Sequence, residues 1–536
     1  MTLCIKRKMK LQSLPAYTAL AFAAALASMP TVAMELDSGN PDMTLRWDNT
    51  VKYSAAKRTK DASPTLSTLP SAFNVEAGDA NFPKSGQISN RFDLLTELEG
   101  KSDNYGFRIS AAAWNDSNYL NSKFSQYTQD THGRKQELKD AFVSTRFNLG
   151  EHSTTVRLGQ HSVQWGESIF FGDNGIGGVM SPIDTAKALS VPNLRFQEIL
   201  RPVPQVSGQF QVDEAMSIYS FYQPKWVESR EQGYDSYFAP FNMLSGGPTK
   251  LIPIPVAPYA YPISRLATQD AKNSGQWGLS LKLSSEETDY GFYYVRSNSK
   301  EAQSVTSLGP LPGNQFGPTA FYSKYHSGVT TVGASANRSI GKFNYGIEAS
   351  VRDNQDLLSV NAYDAGAGAK YATGKTFHLN VNAFGTSMGR TALWSDAILI
   401  GEFAFNRVLS VKENADTLSG NQTRDTKRVQ VLFEPVWYQA FDGVDIRMPV
   451  GYNYSLKGSR NVVGPAPMPD GGGAINIGLS GSYMDVWRFG VNKTHYTGKS
   501  KPLAGANETV QNAAQFNYGQ YFKDRDYVSV YATRTF

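Results

Sequence analysis

The sequence predicts an all-β fold, a closed transmembrane antiparallel β-barrel. Three observations support this fold class. Apolar and polar residues alternate with a period of two over many short segments. After residue 33, no uncharged apolar run is as long as a membrane-spanning helix requires. Short turns also alternate with long connections, as they do in outer-membrane barrels. Only helices and closed barrels satisfy all their main-chain hydrogen bonds in a bilayer, so strands must cross it here.

Residues 342–352 show the alternation most clearly. Five apolar residues alternate with six polar or small ones: Phe343, Tyr345, Ile347, Ala349 and Val351 against Lys342, Asn344, Gly346, Glu348, Ser350 and Arg352. An apolar face suits lipid, and a polar face suits a water-filled lumen. This segment is therefore predicted to be a barrel strand.

The predicted strand number is about 18, with 16 as the second choice. Segments of the same kind begin near Thr44, Arg91, Tyr105, Lys139, Thr155, Gln209, Ala215, Gln276, Tyr290, Thr330, His378, Leu393, Arg428, Val444, Asn476, Trp487 and Tyr527. Residues Gln515–Phe522 could add another strand. Bacterial single-chain barrels have even strand numbers, so this segment is assigned to the last external loop.

Residues 1–33 have the pattern of a signal peptide. Basic residues between Lys6 and Lys10 precede an apolar run from Leu14 to Met29, and small residues lead to a predicted cleavage after Ala33. Met9 precedes a complete signal of its own and is an alternative start. The barrel is expected to occupy residues 34–536.

The other end of the chain also fits export to the outer membrane. The segment from Tyr527 alternates and stops at the aromatic Phe536. A last strand with a terminal aromatic residue resembles the signal that the barrel assembly machinery reads. Arg534 departs from the usual apolar pattern. The expected location is the Gram-negative outer membrane, with outer-membrane lipid and the assembly machinery as partners.

Charge and motifs exclude several function classes. Removing residues 1–33 removes four Lys/Arg and no Asp/Glu, which leaves 48 basic and 47 acidic residues. No basic stripe remains for nucleic acid. The six histidines lack metal-ligand spacing, and no nucleophile elbow, phosphate loop or paired-carboxylate motif is present. We expect no cofactor, no metal and no enzymatic activity, although a hydrolase built from residues on separate strands stays an alternative.

A family resemblance lies mainly in residues 159–226. The segments are Gly159-Gln-His-Ser-Val-Gln-Trp-Gly-Glu-Ser168, Ser181-Pro-Ile-Asp184, Glu198-Ile-Leu-Arg-Pro-Val203 and Phe221-Tyr-Gln-Pro-Lys-Trp226. They resemble the signature of the domain of unknown function 1302 family of proteobacterial outer-membrane proteins. Gln160 and His161 stand where that pattern usually has Arg-Gln, and Ser181 replaces a common Asn. The resemblance implies handling of hydrophobic small molecules and a periplasmic partner protein.

Residues 165–205 are predicted to form a constriction loop folded into the lumen. A barrel of this strand number leaves an aqueous channel unless something fills it. A long loop with charges of both signs would narrow such a pore and set its selectivity. The alternatives are a plain external loop, or charges that only hold the loop to the wall. The candidate residues are Trp165, Glu167, Asp173, Asp184, Lys187, Arg195, Glu198 and Arg201.

Residues 225–275 are predicted to form an apolar, proline-rich external loop. Four prolines between Leu251 and Ile263 exclude a regular strand there. Large exposed apolar patches usually mark binding surfaces, so this loop could capture hydrophobic solutes. A lid that packs against other loops is an equally good interpretation. The candidate residues are Tyr237, Phe238, Phe241, Leu251, Ile254, Tyr259 and Tyr261.

These features favour an outer-membrane channel for passive uptake or handling of hydrophobic or amphipathic small molecules. The alternatives are a porin for polar solutes, an outer-membrane hydrolase, and a scaffold for an efflux or trafficking partner.

Overall fold

The computed structural model describes most of the chain after residue 33. The described residues are 34–67, 78, 81–239, 250–251, 263–418, 420–457, 461–463, 469–501, 504–506, 514–516 and 518–536. The predicted signal peptide, residues 1–33, lies outside them and stays a prediction.

The chain forms a closed antiparallel barrel of 18 strands, which confirms the predicted fold class and the first-choice strand number. Each strand pairs with its neighbours in sequence, and β1 closes the barrel on β18. The strands are β1 Thr44–Arg58, β2 Gln87–Lys101, β3 Tyr105–Asp116, β4 Arg134–Leu149, β5 His152–His161, β6 Val203–Gln211, β7 Met216–Gln223, β8 Gln276–Ser284, β9 Thr288–Asn298, β10 Ser327–Ile340, β11 Phe343–Asp356, β12 Thr373–Gly385, β13 Asp396–Glu413, β14 Asp425–Phe441, β15 Val444–Arg447 with Val450–Lys457, β16 Gly472–Tyr483, β17 Trp487–Thr497 and β18 Tyr527–Thr535.

The two faces of the strands differ as the alternation predicts. On β11, Tyr345 and Ile347 are 44% and 46% exposed, whereas Glu348 and Arg352 are 2% and 4% exposed. The outward face is thus apolar and the inward face is polar, the arrangement of a barrel surrounded by lipid. This arrangement fits the predicted location in the outer membrane of a Gram-negative bacterium.

The ends of the barrel differ in the length of their connections. Short turns, the first described residues and Phe536 lie at one end, which we assign to the periplasm, and long connections lie at the other. The short strand Met34–Leu36 pairs with the beginning of β1. Residues Ala504–Ala506 and Ala514–Phe516 pair with each other outside the barrel wall. The prediction that Gln515–Phe522 belongs to the last external loop, and is not a barrel strand, is therefore confirmed.

The external loops contain a β-hairpin that the sequence did not predict. The strands Gln303–Leu311 and Gln315–Lys324 form a hairpin in a second, five-stranded sheet with Lys250–Leu251, Ile263–Arg265 and Tyr363–Asp364. The long external strands of a barrel can continue to pair beyond the membrane, where the lipid-facing alternation is no longer required. The sequence pattern of this hairpin therefore resembles that of a polar loop.

Among the described residues, helical structure is confined to short segments in the connections. These segments are α1 Pro64–Ser67, α2 Gln126–Thr128, a π turn Gln129–Gly133, a 3-10 turn Ile176–Val179, α3 Thr185–Ser190, α4 Phe196–Ile199 and a 3-10 turn Ala415–Thr417. No helix within the described residues is both long enough and apolar enough to cross a membrane.

The connection between β5 and β6, residues 162–202, folds into the lumen, as predicted for residues 165–205. We call it the lumenal loop. It contacts inward-facing residues of β1 and β2 on one side of the barrel and of β11, β13 and β14 on another. A turn follows Trp165, where Gly166 has φ +95° and a Cβ would meet the Glu348 carboxylate. Only glycine satisfies both requirements at this position.

The last residue should matter for assembly. Phe536 exchanges two main-chain hydrogen bonds with Asn49 of β1, at 2.9 and 2.7 Å, and its ring lies 5.8 Å from the Arg534 guanidinium. We expect deletion of Phe536 to lower the amount of heat-modifiable, folded protein in outer-membrane fractions. Phe536→Tyr, which keeps the ring and the main chain, is the matched control. Unchanged folded protein after the deletion would contradict the assembly role.

Candidate functional site in the barrel lumen

The first half of the lumenal loop is held by a carboxylate of the barrel wall. Glu402 of β13 accepts hydrogen bonds from the main-chain N–H groups of Ile169 and Phe171, both at 3.1 Å, and from that of Phe170. It also accepts one from the Ser168 hydroxyl at 2.9 Å. Hydrogen bonds to charged groups are stronger than neutral ones, so this turn is firmly fixed to the wall.

A second wall carboxylate holds the residues on either side of that turn. Glu348 of β11 accepts hydrogen bonds from the main-chain N–H groups of Glu167 at 2.6 Å and Ile176 at 3.0 Å. A loop inside a barrel must satisfy its main-chain donors without strand partners. Glu348 and Glu402 supply the acceptors that this stretch requires.

Asn174 fixes the same stretch to β12 and β13. Its amide nitrogen donates to the main-chain oxygens of Leu379 and Phe405, both at 3.1 Å, and to Asn380 Oδ1 at 2.8 Å. Its side-chain oxygen accepts from Asn406 Nδ2 at 3.0 Å. The Asn174 side chain is buried, and both its amide nitrogen and its amide oxygen are hydrogen-bonded, so it fixes the loop to the wall.

Two arginines of the wall complete this attachment. The Arg352 guanidinium donates to the main-chain oxygens of Asn174 and Gly175, both at 2.9 Å. Arg428 donates two hydrogen bonds to the Asp173 carboxylate, each at 3.2 Å. Residues 167–176 therefore line the β11–β14 side of the lumen as a fixed layer.

The second half of the lumenal loop is held by one arginine of an external loop. Arg230, between β7 and β8, forms ion pairs with both Asp184 and Glu137 of β4. Burial alone would raise the pKa of Asp184, but Arg230 and the main-chain N–H of Lys187 outweigh it and lower the pKa. Asp184 is thus ionised at neutral pH and also caps α3.

The remaining charges of the lumenal loop pair across to β1 and β2. Lys187 lies 3.8 Å from Glu198 and 3.9 Å from Asp93. Glu198 also lies 3.8 Å from Lys52, whose ammonium donates to the Asn193 carbonyl at 2.9 Å. These groups form one network with alternating charge, which lowers the cost of keeping each of them away from bulk water.

The structure also locates the other four candidate residues of this loop. Arg195 lies 3.8 Å from Glu97 of β2. Trp165 packs against the rings of Phe221 and Tyr293, at 5.2 and 6.1 Å. The two side chains left are joined to different elements: Glu167 to Asn337 and Lys282, at 2.9 and 3.6 Å, and Arg201 to the main-chain oxygen of Glu228.

Not every charged residue of the wall holds the lumenal loop. Arg108 and Arg447 pair with wall carboxylates, Glu97 and Glu434, and Arg146 is exposed, so these three do not hold the loop. Glu348 does, through main-chain donors. The wall partners that sequence reasoning missed include Lys52, Asp93, Glu97, Lys139, Lys282, Arg352, Glu402 and Arg428. All are polar residues at inward positions of alternating strands, which is the one signal that could have identified them.

Three cavities lined by described residues lie around the lumenal loop. The outer cavity, about 290 Å³, lies at the external end between the loop and the ends of β9–β11. The Trp165 cavity, about 390 Å³, lies beside β5–β8. The β14–β18 cavity, about 560 Å³, lies between Pro192 and Asn193 of the loop and the opposite wall. The loop thus separates external space from space that opens toward the periplasm.

The family assignment follows from a match that extends over nearly the whole chain. The model of the family described as "Protein of unknown function (DUF1302)" matches residues 14–536. The chain belongs to the DUF1302 family. The resemblance carried by residues 159–226 is therefore confirmed.

Several solved structures resemble this DUF1302 protein at low identity. OccAB4 of Acinetobacter baumannii is 9% identical with a TM-score of 0.41, covering 93% of this chain and 100% of its own. The outer membrane channel DcaP of the same organism is 8% identical with a TM-score of 0.40, covering 95% and 100%. OccD3 of Pseudomonas aeruginosa is 11% identical with a TM-score of 0.40, covering 94% and 93%. A search of curated proteins finds no match.

The second candidate region of the DUF1302 protein is only partly visible. Tyr237 and Phe238 are 0% and 1% exposed and pack with Phe82, Tyr119 and Phe124 of other external loops. Their burial favours the lid interpretation over an open capture surface for these two residues. Leu251 pairs its main chain with that of Ile263. Outside the described residues lie Phe241, Ile254, Tyr259 and Tyr261.

A histidine of β5 lies beside a serine of β6. His161 Nε2 lies 2.8 Å from Ser207 Oγ, and its Nδ1 lies 3.0 Å from the Gly159 carbonyl oxygen. Both ring nitrogens are thus engaged, and a main-chain oxygen stands where a catalytic triad has a carboxylate. Within the described part of the chain, no group of three or more His, Cys, Asp or Glu residues could hold a metal ion.

Removing the Glu402 carboxylate should loosen the lumenal loop. Glu402→Ala leaves the donors of residues 168–171 without their acceptor, so we expect the barrel to lose about 2–4 kcal/mol of unfolding free energy. Equilibrium unfolding in urea, followed by tryptophan fluorescence in detergent micelles, measures this loss. The matched control is Glu413→Ala, an exposed carboxylate on the same strand. Equal stability of the two variants would exclude the anchoring role.

The Asp184–Arg230 ion pair should make stability depend on pH. A carboxyl whose pKa is lowered by folding stabilises the protein above its unfolded-state value and loses that contribution as the pH falls through the folded value. For Asp184 this loss occurs below 3.8. We therefore expect Asp184→Asn to be less stable than wild type at pH 7, with a difference that shrinks on acidification below pH 4. Thermal unfolding from pH 7 to 3 measures it, and a constant difference would contradict the assignment.

Proposed function

We propose that this DUF1302 protein is a passive outer-membrane channel for hydrophobic or amphipathic small molecules, constricted by the lumenal loop. The observation that carries the proposal is the loop's position. The loop crosses the lumen between the outer cavity and the β14–β18 cavity. Wall residues on both sides of the barrel hold it there. A loop fixed in this way narrows a pore without closing off the barrel.

The outer cavity supports an apolar or amphipathic substrate. Much of its lining is apolar and comes from the lumenal loop, with contributions from β10 and an external loop. The residues are Phe170, Val179, Ile183, Ala188, Leu189, Phe196, Ile199, Val329 and Val463. Ligand pockets for small molecules are mostly apolar with a few polar groups that orient the ligand. The cavity fits that description at the small end of the usual range of volumes.

The second candidate function is a porin for polar solutes. The β14–β18 cavity favours it, because its lining is mainly polar: Asn193, Glu434, Arg447, Asn476, Ser480, Ser482, Asp485, Arg488, Asn492, Thr494 and Ser529. Ions and sugars could cross there. The two candidates use different cavities, so they can be tested separately.

Shortening the lumenal loop should widen the pore. Deleting Asp173–Met180 removes the contacts that Asp173, Asn174 and Ile176 make with β11–β14. We therefore expect higher single-channel conductance in planar bilayers while the barrel stays folded. Heat modifiability reports folding. The matched control shortens the turn Pro312–Asn314 of the external hairpin, away from the lumen. Unchanged conductance after the lumenal deletion would rule out the constriction.

Blocking the β14–β18 cavity separates the two candidate functions. Asn476→Trp places an indole in that cavity, whereas Leu479→Trp places one on the lipid-facing side of the same strand and is the control. We expect Asn476→Trp to reduce ion conductance but not uptake of a radiolabelled amphipathic compound by cells that depend on this protein. Loss of uptake of the amphipathic compound would indicate that the substrate crosses this cavity, and it would favour the porin.

A further inference from the structure

Two of the three cavities meet at one side chain. Gln164 lines both the outer cavity and the Trp165 cavity, whereas the described lining of the β14–β18 cavity shares no residue with either. The Gln164 side chain is exposed to this space, and its amide oxygen lies against Gly177, where a Cβ would collide with it. A molecule passing from the outer cavity to the Trp165 cavity would therefore pass Gln164.

Cationic side chains line this route on both sides of Gln164. Lys300 and Arg352 line the outer cavity, and Lys282 and Arg157 line the Trp165 cavity. The outer cavity also has two carboxylates, those of Asp173 and Glu301, whereas the described lining of the Trp165 cavity has none. The charge along the route is thus predominantly positive.

Lys300 is the cation at the outer end. It is 3% exposed, and its ammonium donates to Gln276 Oε1 at 2.7 Å. Within the described residues it forms no ion pair. Burial lowers the pKa of Lys300 to about 7, although neighbouring Glu301 acts in the opposite direction. A buried charge with only a neutral partner is unfavourable, and an anionic ligand would offset that cost.

The other cations are also only partly neutralised. The Arg352 hydrogen bonds go to main-chain oxygens, and nearby Asp173 is already bonded to Arg428. Arg157 forms no ion pair among the described residues and lies 4.4 Å from the Phe142 ring centre. Lys282 has one carboxylate neighbour, Glu167, at 3.6 Å. A ligand carboxylate would add a partner at each stage of the route.

We propose that the route past Gln164 selects amphipathic monocarboxylates. The apolar lining of the outer cavity takes the hydrocarbon part while Lys300 and Arg352 attract the carboxylate. The Gln164 amide then donates to the carboxylate as it passes to Lys282 and Arg157. This inference rests on the proposed channel function and adds the substrate class.

The test uses Gln164→Glu in the full-length barrel in planar bilayers. The probes are hexanoate, hexanol and hexylammonium, which share one chain and differ in charge. Transient interruptions of the ion current report occupancy of the pore. For wild type we expect hexanoate to act at the lowest concentration. Gln164→Glu places a like charge at the meeting point, so the hexanoate concentration needed should rise by about tenfold or more, with hexanol unchanged.

Two further variants keep the result interpretable. Lys282→Met removes a charge from the Trp165 cavity and should also weaken the hexanoate effect, which tests the route if Gln164→Glu does not fold. Lys375→Met removes an exposed lysine of β12 outside the cavities and should change nothing. Equal action of the three probes, or an unchanged hexanoate effect in Gln164→Glu or Lys282→Met, overturns the inference alone. Failure of all three probes to interrupt the wild-type current would overturn the proposed function as well.

Discussion

The structure depends on the requirement that main-chain polar groups find partners where water is scarce. In the wall, the requirement is met by the ladder that runs from β1 to β18 and back to β1. In the lumen it is met differently, because residues 167–176 of the lumenal loop do not pair with a strand. There, Glu348 and Glu402 accept hydrogen bonds from successive main-chain N–H groups and replace the missing ladder. The loop's course across the barrel follows from the positions of these two carboxylates.

Electrostatics then divides the lumenal loop into two parts with different neighbours. Residues 167–176 are attached to the β11–β14 wall, mainly through main-chain atoms. Residues 184–201 are attached through side-chain charges to β1, β2 and an external loop. Space remains where neither part reaches the wall. The polar β14–β18 cavity and the more apolar route past Gln164 are the result, and the two proposed functions differ in which of these spaces carries the solute.

The barrel could be predicted from the sequence because its signal is local. Alternation in residues 342–352 is a property of adjacent side chains, and parity resolved the doubtful segment Gln515–Phe522. The site was predictable only in outline. That residues 165–205 would enter the lumen follows from barrel width and loop length. The hydrogen bond from the Phe171 main-chain N–H to the Glu402 carboxylate depends on the register of β13 against distant strands. No local sequence pattern contains that information. The external hairpin Gln303–Lys324 was missed because neither of its faces contacts lipid, so its strands are not required to alternate apolar and polar residues.

The anchors of the lumenal loop also bear on the order in which the protein folds. Glu348 lies 181 residues beyond its partner Glu167, and Glu402 lies 232 residues beyond Phe170. Contacts between residues so far apart in sequence form late, because the intervening chain must first be organised. The main chain of residues 167–176 thus gains its acceptors only after β11 and β13 have joined the sheet. Until then the interior of a nascent barrel lacks this fixed layer, and residues 167–176 can take up their final position only once both strands are in place.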